Sequence, residues 1–127
     1  MKKQAILLFV MNLLAVSVAL AGGRRLNEMP APRLMEPDDI VEMEGKTGLE
    51  FRWGNEAGGS FDHYDFRLYK GTETYEKNLI LQKNIPVGQT SLTLDASAFK
   101  VGETYAWSLR YMGSRKSMSS YSIFKIK

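Results

Sequence analysis

The chain has 127 residues, a formal net charge of +3, one histidine and no cysteine. That length suits one domain, and the missing cysteine excludes disulfide stapling, a thiol nucleophile and a cysteine-borne lipid anchor. No basic cluster after the first residues exceeds Arg115-Lys116, too little to track a nucleic-acid backbone.

Lys2 and Lys3 precede an apolar run from Ala5 to Leu20, and Ala19-Leu20-Ala21 ends it with small residues. A charged start, a short apolar centre and an A-x-A end describe a secretory signal peptide over residues 1–21. Retained uncleaved, the run approaches the length of a membrane anchor. Membrane association is expected only by that route, and the basic balance owes much to Lys2 and Lys3. The expected destination is the periplasm or the exterior.

Residues 22–31 carry Gly, Arg and Pro without hydrophobic periodicity and read as a linker. Residues 36–50 are acidic, with Pro37-Asp38-Asp39 reading as a turn. Their carboxylates follow no recognised calcium-loop spacing, so no metal is expected there.

From there the chain is a series of period-two runs. Leu49, Phe51 and Trp53 alternate with polar residues; so do Tyr64, Phe66 and Leu68. A less regular run covers 78–85, Leu92 and Leu94 alternate with Ser91, Thr93 and Asp95, and one helical turn fits 96–99. Tyr105, Trp107, Leu109 and Tyr111 share one face of the next run, and Phe124 and Ile126 alternate in the last. Successive strand residues face opposite ways, so these are half-buried strands of an all-β sandwich or barrel.

The stretch Phe99-Lys100-Val101-Gly102-Glu103-Thr104-Tyr105 resembles the fibronectin type III corner, L-x-P-G-T-x-Y, with Phe for Leu and Val for Pro. Leu49 to Trp53 resembles the family's second strand with its core tryptophan. Pro32 to Pro37 and Tyr121 to Phe124 resemble the first and last strands of small exported bacterial members. The resemblance covers residues 32–127. It implies a two-sheet antiparallel immunoglobulin-like sandwich of about seven strands. The first, second and fifth strands would form one sheet and the rest the other. It also implies structural roles for Trp53, Trp107 and Tyr105, whose hydroxyl would bond back to the preceding turn.

Catalysis has little material. His63 neighbours Asp62, but adjacent strand residues face apart, and one histidine without cysteine is poor material for zinc. Gly58-Gly59-Ser60 lacks the strand-to-helix setting of a phosphate loop. No catalytic, metal or cofactor site is assigned, and a hydrolase built on His63 ranks last.

Two surfaces remain. With Tyr64, Phe66 and Leu68 inward, Asp65, Arg67 and Tyr69 face outward. The same parity puts Ser108 and Arg110 outside, and also Tyr121, Ile123 and Lys125. In the family's topology these strands are neighbours, so Arg67, Tyr69, Arg110 and Tyr121 form one exposed candidate face. Planar rings and fixed donors suit a protein partner or a glycan. An ordinary solvated sheet face with cross-strand Arg–Tyr pairs is the plainer alternative. The second candidate is the loop tip of 56–61, 87–89 and 113–119. There Arg115 and Lys116 offer charge, and Phe61 or Met118 an apolar contact. The acidic first strand and Lys-bearing last strand are expected to guard the sheet edges. The function expected is an exported non-catalytic module for protein–protein interaction, or alternatively a carbohydrate-binding module using the Arg/Tyr face.

Overall fold

In the computed structural model, residues 30–55, 61–114 and 116–127 are described. The expected signal peptide, most of the expected linker, residues 56–60 and Arg115 lie outside them.

Two sheets pack face to face. The strands are β1 (Arg33–Glu36), β2 (Asp39–Val41), β3 (Gly48–Gly54), β4 (His63–Lys70), β5 (Leu79–Pro86), β6 (Ser91–Asp95), β7 (Thr104–Met112) and β8 (Ser120–Ile126). Sheet order is β1-β3-β6 in one and β2-β8-β7-β4-β5 in the other. Short 3₁₀ turns at Glu76–Asn78 and Ala96–Ala98 interrupt the connections. Asp95 caps the second, its carboxylate accepting from the Ser97 N–H at 2.9 Å.

The fold is all-β and sandwich-like, as the alternation predicts, with two departures from the expected seven antiparallel strands. The turn at Pro37-Asp38-Asp39 does more than reverse the chain. It carries it from one sheet to the other, through a cis Glu36–Pro37 bond and Asp39 at φ 61°. The acidic first run therefore becomes two strands, β1 antiparallel to β3 and β2 parallel to β8, with Ile40 opposite Lys125. Local sequence marks the bend but not the change of sheet. The third correction concerns edges: β8 is an interior strand, so its lysines guard no edge, and the edges of the larger sheet are β2 and β5.

Inward parity builds the core. Phe51 from the smaller sheet meets Phe66 edge-on at 5.2 Å and Trp107 at 5.1 Å, with Phe124 at 5.9 Å. Trp53 packs edge-on against Tyr64 at 5.4 Å. Each of these rings is within a percent of full burial, and each contributes about 1.5–3 kcal/mol by leaving water. The edge-to-face geometry is what aromatic quadrupoles favour.

Two side-chain bonds tie connecting turns to this core. The buried Trp107 Nε1–H donates to the Pro37 carbonyl at 3.0 Å, fixing the sheet-changing bend over the sandwich. The Tyr105 hydroxyl accepts from the Lys100 N–H at 2.9 Å, closing the turn before β7, where Gly102 takes φ 89°. Tyr105 also stacks on Phe124 at 5.7 Å and meets Phe99 edge-on at 5.2 Å.

Candidate functional site

The outer face of the larger sheet is set by register. Asp65 is opposite Arg110, Arg67 opposite Ser108, and Tyr69 opposite Ala106 across β4 and β7. On the far side of β7, Ser108 is opposite Tyr121 and Ala106 opposite Ile123. The small residues on β7 leave a trough, and the long side chains on either side wall it. The result is a concavity of about 210 Å³ lined by Arg67, Tyr69, Arg110 and Tyr121, with Ser108 and Asp65 in its lining. Thr74 and Ser119 complete it from the flanking connections.

All four residues of the Arg/Tyr face thus border one cavity, but with unequal access. Tyr121 is 64% exposed at its rim. Arg67 and Arg110 are partly exposed, at 29% and 27% of their side chains. Tyr69, expected to be exposed, is buried at 4%. Its cross-strand partners are Leu79 on β5 and Ala106 on β7, and the small Ala106 leaves the large ring room to lie across the sheet. Parity gives the face a side chain takes, not the height of its neighbours.

Asp65 organises the charges. It is 5% exposed, and both carboxylate oxygens are engaged. Oδ1 accepts from Gln82 Nε2 at 2.9 Å and from Arg67 Nε at 3.3 Å. Oδ2 lies 3.2 Å from Arg67 Nε and 3.4 Å from Arg110 Nη2. Burial pushes the Asp65 carboxyl up, but the bonds from Gln82 and Arg67 and the charges of Arg67 and Arg110 outweigh it and hold it below its ordinary value. The Arg67 guanidinium is in turn raised, first by its bond to Asp65 and also by one to Tyr69. Its Nη1 reaches the exposed Glu76 at 3.5 Å.

Asp65 was legible as an outward residue but not as the hub. The i, i+2 pair with Arg67 is visible in sequence, whereas the Asp65–Arg110 contact needs the register of two strands 45 residues apart. Gln82 and Thr74 carry no sequence signal of their own.

Of the expected loop tip, residues 56–60 and Arg115 lie outside the described residues, and one described member, Phe61, is not at the surface. Phe61 is buried at 6%, packed 5.0 Å from the Tyr64 ring and 4.5 Å from that of Tyr111, so it offers no surface contact. Phe61 has the outward parity of Asp65 and Arg67 but lies two residues before β4, so the path of the preceding chain, and not strand alternation, turns its ring into the core. Lys116 and Met118 are exposed, Met118 at 72%, and Arg115 lies outside the described residues. Between them Ser117 is buried. Its hydroxyl accepts from the Tyr111 N–H at 2.9 Å and donates to the Met118 carbonyl at 2.8 Å, pinning the β7–β8 connection.

His63 opens β4 on its outer face, two positions from Asp65. Among the described residues no group of three or more His, Cys, Asp or Glu is arranged to hold a metal ion. No helix among them is long and apolar enough to cross a membrane.

No protein-family model and no curated protein matches the chain. The functional reading therefore rests on the chain's own residues.

Proposed function

We propose that this chain is an exported, non-catalytic binding module of the fibronectin type III kind, which engages a protein partner in the cell envelope or outside the cell. The family reading is supported by the Tyr105–Lys100 corner bond, the core position of Trp53 and the grouping of β1, β3 and β6 opposite the other strands. The export reading is supported by the charged, apolar and small-residue pattern of residues 1–21.

One observation carries the binding surface: the exposed Tyr121 rims a cavity holding two arginines and continues into an exposed apolar strip. Ile123 is 38% exposed and Ile40 on the neighbouring strand 58%, both on the same outer face, with the exposed Lys125 directly opposite Ile40. Tyrosine and arginine beside aliphatic area is the composition of protein-binding hot spots. Glycan binding is the second reading, favoured by the restricted volume of the cavity and its aromatic rim, but an isoleucine strip adds nothing to sugar recognition.

The test is a photo-crosslinker placed at residue 121, with a control at the exposed Thr93 on the smaller sheet. Protein adducts from 121 that are absent from 93 support the reading. Equal yields from the two positions, or displacement of the 121 adducts by neutral oligosaccharides, refute it.

A further inference from the structure

The cavity is built to donate. Each Asp65 oxygen already accepts at least one hydrogen bond or ion pair, so the buried carboxylate has little acceptor capacity left for a ligand. Arginine, by contrast, has five N–H donors in a fixed fork. Arg110 spends Nη2 on Asp65, and Nε and Nη1 complete its fork. Arg67 bonds Asp65 through Nε, also bonds Tyr69, and reaches through Nη1 to Glu76, which is 78% exposed and easily displaced into water. Among the cavity-lining residues the charge is two arginines against one aspartate. That aspartate is 5% exposed, its charge turned toward the guanidinium groups. An occupant gains most by supplying a planar acceptor of one negative charge, because arginine and carboxylate pair through two parallel bonds.

From this we infer that the cavity receives the carboxylate of an Asp or Glu side chain in an acidic peptide segment of the partner, with Arg110 as the specificity-determining cation and Asp65 as a positioning residue that holds both arginines. The inference rests on the protein-binding reading above and deepens it. The apolar strip of Tyr121, Ile123 and Ile40 defines the rest of the motif. Tyr121 and Ile123 are two residues apart on one strand, about 7 Å, which is the spacing of alternate side chains in an extended peptide. The segment recognised has an acidic residue for the cavity and an apolar residue beside it for the strip.

The experiment uses the full chain on an array of random decapeptides, with oligogalacturonate as the acidic-glycan competitor. Bound peptides should be enriched in Asp or Glu next to an apolar residue. Arg110→Gln should abolish the acidic preference, and Arg110→Lys should restore less than a third of the signal because a point charge cannot pair bidentately. Tyr121→Ala should weaken the apolar preference while leaving the acidic one. Circular dichroism and thermal melting within a few degrees of the parent confirm that each variant is folded. Peptide binding without acidic enrichment, an acidic preference that survives Arg110→Gln, or oligogalacturonate competing below the concentration of the best peptide would overturn the inference. If the array shows no acidic preference while crosslinks from residue 121 still exceed those from 93, the binding surface stands and only the carboxylate assignment fails. If both are lost, the protein-binding reading fails with it.

Discussion

Replacing Asp65 by Asn tests whether one buried carboxylate holds the site together. The substitution keeps the shape and one acceptor for Gln82 Nε2, but it removes the charge from a group 3.2 Å from Arg67 Nε and 3.4 Å from Arg110 Nη2. Hydrogen bonds to charged groups contribute about 1.5–3 kcal/mol, and a broken, fully buried ion pair costs more. Both arginines here are more than a quarter exposed and can turn to water, which favours the lower figure. We expect a loss of about 2 kcal/mol at neutral pH, a fall in Tm of roughly 10 °C for a domain of this size. The pH dependence gives a second handle. Because the folded carboxyl is held below its ordinary value, the folded state binds its proton less readily than the unfolded chain. The stabilisation is therefore complete above the unfolded pKa of about 3.9 and vanishes as the pH falls through the lower folded value. Urea denaturation of parent and variant should show a constant gap from pH 5 to 8 that closes on further acidification. No gap at pH 7, or one that persists undiminished in strong acid, would refute the reasoning.

Three further outcomes follow from the fold. Tyr105→Phe keeps the ring contacts with Phe124 and Phe99 but leaves the Lys100 N–H without its acceptor. Urea unfolding should show a loss of about 1–2 kcal/mol with an unchanged m-value. Phe61→Ala should cost about 3 kcal/mol or more because the ring lies in the core, whereas a surface contact would cost almost nothing. Trp107→Phe should destabilise through both the lost volume and the lost indole bond to the Pro37 carbonyl, which keeps only the long bond from Ser122 Oγ at 3.5 Å, and proton exchange at the indole N–H of the parent should be slow.

Much of this was legible in residue parity. Tyr64, Phe66 and Leu68, and Tyr105, Trp107, Leu109 and Tyr111, face inward as their alternation requires, and the Arg/Tyr face follows from the opposite parity. What alternation cannot carry is anything set by the partner strand. Tyr69 is buried because Ala106 is small, and Arg110 meets Asp65 because two distant strands settle in one register. The split of the first strand depends on a backbone bend at Pro37 and Asp39 whose destination is fixed by the Trp107 indole, 70 residues on. Phe61 misled for a simpler reason: a loop residue next to a strand was assigned to the surface by its neighbours' composition.

The central claim is that the outer face of the larger sheet is a protein-binding surface. The most direct measurement compares photo-crosslinking yields from residue 121 and residue 93 in the full chain, with and without Arg110→Gln. The account predicts protein adducts from 121 that exceed those from 93 and fall at least tenfold in the Arg110→Gln background. Adducts equally abundant from both faces, or indifferent to Arg110, would contradict it.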